Sequence, residues 1–435
     1  MGILAFSLAS CGNERVAEQE PTVDLNIDLE GTSISVAVIY DTGISGIAEM
    51  FMTENPGTTI EIINYDGDWE RAFTQLAAEI MSGEAPTVMT SSLVDYTDPN
   101  ISRLMADWFT IMRSDPDFRE EDYFMNVINA AAVNGRLVGF PMSYDYQLVA
   151  FNNAVPGYRQ LAERDTITAV ELLEFHAESD ANIPYVDSNF DLSVISHSLI
   201  PSFFDYQTGQ IDFENQRFID ILNHSLAATE PEKSFGMTMS GGLFDPNTQA
   251  ERAAKYFYNI NGPYDLSVFM EFENALFEGS VPLVNSRGEL MANVWDSYLL
   301  NASATHEQQV LAWNFVKFLL RVPAEDEPQR YVSSTPITPA LLRYSLETTV
   351  TGLIDVCETH YGSRLVGTEE EILEYTYNRM IEIANMPMTD YRYAPNSITA
   401  IPWEVLTEFH EGLITAEQAA AQMQNRMSLA IMEMN

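Results

Sequence analysis

The chain has 435 residues, more than one hydrophobic core ordinarily serves, so two α/β units are the first expectation. Hydrophobic residues make up 46% and charged residues 20%, the balance of a globular chain and not a disordered one. The 64 acidic residues against 21 basic ones leave a net charge of −43. That charge disfavours nucleic acid and anionic membrane, whose counterions only Lys and Arg displace, and weakly disfavours a polyanionic ligand.

No apolar run reaches the roughly 18 residues of a membrane-spanning helix. The two cysteines, Cys11 and Cys357, allow neither a disulfide framework nor a Cys-rich zinc site. Leu8-Ala9-Ser10-Cys11 followed by Gly12 resembles a bacterial lipobox, with Cys11 as the lipidation site. Met1–Ser10 is shorter than an ordinary leader and lacks its basic start, so residues 1–11 are expected to be a partial lipoprotein signal. Cys357 is expected to be an inert buried thiol. Residues 12–31 carry six carboxylates against Arg15 and no helical apolar periodicity, and are expected to form a flexible acidic tether.

Ser33–Tyr40 predicts a buried strand. The spacing of Ile44, Ile47, Ala48, Phe51 and Met52 predicts a helix, stopped by Asn55-Pro56-Gly57. Thr58–Tyr65 predicts a second strand, and Asp66 or Asp68 a cap for a helix with Trp69, Phe73, Leu76, Ala77 and Ile80 on one stripe. Pro86–Thr90 returns as a strand. Strand, helix, strand, helix, strand is the βαβ pattern of a parallel sheet. Residues 101–130 read as helical.

Asn134-Gly135 predicts a tight turn, since both residues tolerate positive φ. The apolar runs Leu137–Phe140 and Gln147–Phe151 follow, with Tyr144-Asp145-Tyr146 between them. This stretch is expected to cross from one folded unit to the other, with binding groups at the crossing. Ala169–Glu178 predicts a helix, and Tyr256–Phe277 stays ambiguous between helix and strand. Val281–Ser303 holds two apolar runs separated by Asn285-Ser286-Arg287-Gly288, the second containing Trp295-Asp296. Thr305-x-x-Gln308 and Thr415-x-x-Gln418 are capping boxes opening helices, and residues 369–384 predict another helix.

Hydrolase, dinucleotide, P-loop and zinc-protease motifs do not occur, so no catalytic residue is assigned. The six histidines show no metal-ligand spacing, and Asp187-x-Asn189-x-Asp191 lacks the Gly and final Glu of a calcium loop. No cofactor or metal is expected. The aromatics are more telling. Tyr40 ends the first strand, Tyr65, Asp66 and Trp69 follow the second, and Trp295 lies in the return segment. Ligands of open α/β sheets bind beyond the carboxyl ends of strands. Aromatic faces pack on the C–H faces of sugar rings while carboxylates accept their hydroxyl protons. The candidate ligand-binding set is Tyr40, Asp41, Asp66, Trp69, Tyr144, Asp145, Tyr146 and Trp295. Asp41, Asp66 and Asp145 would accept hydroxyls, and the aromatics would stack.

Four stretches together resemble family 1 of the extracellular solute-binding proteins, the maltose-binding-protein-like subunits of ABC importers. Ala48–Met89 is similar to its helix, Asn-Pro stop, strand, helix and Gly-x-x-Pro (here Gly83–Pro86). Asn134–Asn153 is similar to its hinge segment. Ala304–Leu320, with Ala312-Trp313 and Phe315–Leu319, is similar to its signature helix. Glu411–Met427 is similar to its C-terminal ending. The resemblance runs from about residue 33 to the end, and residues 157–280 match least. It implies a two-lobed α/β fold of the type II periplasmic-binding-protein kind, each lobe a sheet flanked by helices, joined by hinge crossings. Residues 32–145 plus 290–338 are expected in lobe one, and 146–289 plus 339–435 in lobe two. The implied function is capture of an extracellular solute, a sugar or oligosaccharide by the aromatic set, and its delivery to permease subunits. The implied protein is a monomer, not an enzyme, held by lipid on Cys11 at the outer face of a bacterial cell membrane. A non-sugar solute or a sensor partner on the same fold is the alternative, and a surface glycosidase a remote one.

Overall fold

The computed structural model describes residues 23–39, 43–65, 69–151, 158–178, 199–205, 208–228, 254–257, 280–294, 297–324, 327, 335–356, 367–390 and 396–434. Its strands are β1 Ser33–Val38, β2 Thr59–Asn64, β3 Val88–Thr90, β4 Gly139–Phe140, β5 Ser143–Tyr146, β6 Leu148–Phe151, β7 Ile167–Thr168 and β8 Phe204–Asp205. They continue as β9 Gln210–Ile211, β10 Ala254–Phe257, β11 Ser280–Val284, β12 Leu290–Asn293, β13 Tyr298–Leu300, β14 Thr335–Pro336 and β15 Met388–Asp390.

Two large sheets organise all but β8 and β9, which pair with each other. The first runs β2-β1-β3-β13-β4. The second runs β10-β6-β11-β12-β5-β14, with β15 beside β12 and β7 beside β11. β1 pairs parallel with both β2 and β3, so the expected βαβ unit is present. The side-chain alternation of β1 explains its two helical layers. Ile34, Val36 and Val38 enter one core with helix α1 (Ile44–Glu54) and the helix His306–Leu320. Ala37 and Ile39 enter a second core with helix α2 (Trp69–Ser82). A third core lies in the second unit, built on Val149, Phe151, Val281 and Leu283 and the helices Ala169–Glu178, Gln216–Ala228, Asn396–His410 and Ala416–Met434.

The capping boxes hold. Thr305 and Gln308 bond reciprocally at the start of the helix His306–Leu320, and Thr415 and Gln418 do so before Ala416. Three expectations shift. The helical reading of 101–130 resolves into the short helices Pro99–Ser102, Trp108–Ser114 and Met125–Ala130, because Asp98 and Asp107 each cap a new start. The stripe of α2 runs through Ala72, Leu76 and Ile80, and Phe73 is 40% exposed, one position off that row. Residues 23–31, read as tether, instead lie along the first unit. Val23 N–H donates to Ser114 Oγ at 2.9 Å, His306 Nε2 donates to the Asp24 carbonyl at 2.7 Å, and Val23, Leu25 and Leu29 pack on the core. Their apolar residues alternate with Asp24, Asn26, Asp28 and Glu30, a period of two that a helical search passes over. The helices Pro339–Val356 and Glu369–Ala384 send Leu342, Leu346, Ile372 and Met380 into a core that also holds Tyr144, Tyr146 and Leu290 of the second sheet. The leader, the lipobox and Cys357 lie outside the described residues.

One buried charge anchors the first unit. Asp115 accepts from Trp313 Nε1 at 2.6 Å, from Lys317 Nζ at 2.7 Å and from Asp117 N–H at 2.9 Å. Burial pushes its carboxyl up, but the bonds from Lys317, Trp313 and Asp117 outweigh this and hold it below its ordinary value. A carboxylate lowered on folding stabilises the fold above its unfolded titration range, and that stability is lost as pH falls through the lowered folded value. Asp115→Ala should lower unfolding free energy by about 3 kcal/mol, since it strands the indole N–H and the ammonium. Urea unfolding at neutral pH measures this, and the gap between variant and parent should close in acid.

Candidate functional site

The parallel pairing of β1, β2 and β3 sends all three carboxyl ends to one edge of the first sheet, since Val38 stands beside Asn64 and Ala37 beside Met89. β13 runs antiparallel to β3, with Tyr298 opposite Thr90 and opposite Phe140 of β4. β13 therefore enters the sheet, and β4 leaves it, at that same edge. Only Pro141 and Met142 separate β4 from β5 in the other sheet. The chain returns from β12 to β13 across residues 294–297, and β14 brings it back beside β5. Counted on the described strands, it passes between the sheets three times. After β14 the Ile337 carbonyl accepts from Phe124 N–H at 2.8 Å, which ties this passage to the first unit.

The turn before the first crossing forms as expected, with Asn134 at φ 52° and Gly135 at φ 76°. Gly139 is needed for close approach, because an added Cβ would lie 3.0 Å from Ser297 Cβ. Ser297 is itself held by Ser91, whose N–H donates to the Ser297 carbonyl at 2.7 Å and whose Oγ accepts from Ser297 N–H at 3.1 Å. Tyr96 OH of the first unit reaches Asp390 Oδ2, at the end of β15 in the second sheet, at the long limit of 3.5 Å.

Of the residues singled out in the sequence, Tyr144, Asp145 and Tyr146 come together on strand β5. The crossing proper lies just before them. Alternation puts the two tyrosines on one face and Ser143 and Asp145 on the other. Tyr144 and Tyr146 are 0% and 1% exposed, their ring centroids 5.9 Å apart, with Phe124 edge-on to Tyr144 at 6.1 Å. Both rings thus lie in the first core, with no face open to solvent. Burial first, then the neighbouring Tyr146 and Asp145, pushes the Tyr144 hydroxyl well above its ordinary value, so it stays a neutral O–H. Trp69 opens α2, just beyond the end of β2. Tyr40, Asp41, Asp66, Trp295 and Cys11 lie outside the described residues, as does Asp187–Asp191. Tyr65 donates to Glu79 Oε2 at 2.5 Å, which commits its hydroxyl to its own unit.

Other polar groups, not evident from the sequence, stand at the crossings. Ser143 Oγ, Tyr144 OH, both amide atoms of Asn293, Ser297 Oγ and Thr335 Oγ1 are buried with no hydrogen-bond partner. Their strands adjoin, since Asn293 stands opposite Asp145, Thr335 opposite Tyr144 and Pro336 opposite Ser143. Such groups ordinarily find partners, and each one left without costs about 1–3 kcal/mol. Asn293 and Ser297 flank the noted Trp295-Asp296. The only available signal was a polar residue at each end of an apolar run. Among the described residues, no group of three or more His, Cys, Asp or Glu could hold a metal ion, and no helix is long and apolar enough to cross a membrane.

No family model matches the chain, and no curated protein matches it. Solved structures do. A family 1 extracellular solute-binding protein from Alicyclobacillus acidocaldarius superposes with a TM-score of 0.59 at 14% identity, covering 95% of this chain and 100% of that one. A periplasmic oligogalacturonide-binding protein from Yersinia enterocolitica gives 0.59 at 15% identity, covering 92% and 99%. A sugar-binding protein from Xanthomonas citri gives 0.59 at 11% identity, covering 92% and 98%. The fold is therefore that of the two-lobed solute-binding proteins, an α/β architecture with each sheet flanked by helices.

Because the Tyr144 hydroxyl has no partner, Tyr144→Phe should leave the melting temperature unchanged or slightly raised. Tyr144→Ala should cost about 3–5 kcal/mol by opening a cavity in the core. Differential scanning calorimetry on the two variants separates packing from polarity.

Proposed function

We propose that this chain, built on the fold of the family 1 extracellular solute-binding proteins, captures an extracellular solute between its two lobes and hands it to an ABC permease. The observation that carries the reading is the pair of short strand passages at the carboxyl edge of the first sheet, from β4 to β5 and from β12 to β13, bordered by buried polar groups without protein partners. Short passages at one edge let two rigid units close on a ligand. A ligand that touches both units biases that equilibrium toward the closed state. The similarity to proteins named for sugar and oligogalacturonide binding supports a saccharide as the solute.

A neutral saccharide suits this chain better than an acidic one. The net charge is −43, and Arg287, Arg321 and Arg343 are each paired with glutamates of the fold. Cys11 would carry the lipid that holds the protein at the outer face of the cell membrane, and the working form is a monomer. Its role is capture without turnover, so bound sugar should be recovered intact.

Isothermal titration of the full chain against maltotriose, cellotriose, xylotriose and trigalacturonate tests the reading. Micromolar or tighter binding of at least one neutral trisaccharide is expected, with a smaller radius of gyration in solution scattering when it is bound. Silence to all four, with binding of an amino acid or peptide, would move the chain to another solute class.

A further inference from the structure

Beyond the aromatics and aspartates, the structure assigns a recognition role to Asn293 and to Ser143 on the adjoining strand. Asn293 is the last residue of β12, where the chain leaves the second sheet for the first. It is 5% exposed, and neither its amide oxygen nor its amide nitrogen has a hydrogen-bond partner. Directly opposite residues of antiparallel strands share a face. Asn293 faces the same way as Asp145, its partner on β5, and as Ser143 two residues earlier, whose Oγ is also without a partner. Three polar side chains thus line one face of two adjoining strands, within a few residues of two of the three passages between the sheets.

An amide offers donors and an acceptor from one planar group, a carboxylate accepts only, and a serine hydroxyl does both. That combination matches vicinal hydroxyls of a saccharide, each of which donates once and accepts once. It matches poorly an ammonium group, which needs acceptors alone, or a carboxylate, which needs donors alone. We propose that Asn293 and Ser143 bind adjacent hydroxyls of the solute and set its orientation at the base of the interlobe cleft. This rests on the saccharide reading above.

The energetic signature is specific. A residue kept for packing loses stability when truncated. A buried polar residue without a protein partner does not, because its removal also lifts a desolvation cost. Asn293→Ala and Ser143→Ala, each in the full chain, should keep the parent's melting temperature or exceed it. The same variants should weaken binding of the best trisaccharide from the panel at least about tenfold, the loss expected of one or two hydrogen bonds to a bound ligand. Asn293→Asp, which keeps acceptors and loses the donors, should fall between parent and Asn293→Ala. Parent-like affinity in both alanine variants, or a clear fall in melting temperature, overturns the proposal while leaving saccharide capture standing. If the unmutated chain ignores every trisaccharide, the saccharide reading fails, and this one with it.

Discussion

The first sheet is incomplete without a strand that arrives 158 residues after its neighbour. Strand β13, Tyr298–Leu300, fills the slot between β3 and β4, and β4 ends at Phe140. Backbone donors and acceptors in a buried sheet must be paired. So the first unit cannot close until the chain has passed through the second and come back. This requirement creates the return passage between the sheets, and it places that passage and the outgoing one at the sheet edge where parallel strands end. The helix His306–Leu320 follows β13 at once and covers the same sheet, locking Phe51 between Phe315 and Phe318 at 5.4 and 5.3 Å.

Polar side chains collect where the two units meet because that region is neither core nor surface. Local choices elsewhere agree with the global fold: caps sit at helix starts and apolar faces meet apolar faces. At the crossings they disagree, since Ser143, Asn293, Ser297 and Thr335 are buried without partners. Disagreement of this kind is what a binding site requires, because groups already satisfied by the fold have nothing to offer a solute. Ser91 and Ser297, joined by one backbone bond and one from Ser297 N–H to the Ser91 hydroxyl, hold the frame of that region around them.

The scarce basic residues serve as internal pins. Lys317 is spent on Asp115 inside the first unit, Arg343 pairs with Glu347 on its own helix Pro339–Val356 and reaches Glu374 of Glu369–Ala384, and Arg426 joins the last two helices through Glu404. The net charge of −43 makes the chain unattractive to polyanions.

What the amino-acid sequence determined by itself was local. The Asn134-Gly135 turn, the capping boxes at Thr305 and Thr415, the helices over 169–178 and 369–384 and the parallel β1-β2-β3 pattern were all legible, because each depends on residues close in the chain. The four stretches that resemble the solute-binding family also conveyed a two-unit fold. Tertiary structure alone decided the rest. Residues 23–30 carried their alternation in plain view, but only the groove beside Ser114 and His306 turns it into a docked strap. Tyr144 and Tyr146 stood out for their aromatic faces, and only packing between distant segments, Phe124 against Tyr144 among them, buries both rings. Asn293 looked like the end of an apolar run, and only its register with Asp145, across 148 residues of chain, turns it into a candidate contact. Pairing between distant strands fixes which side of a residue meets solvent, core or solute, and no local pattern encodes it.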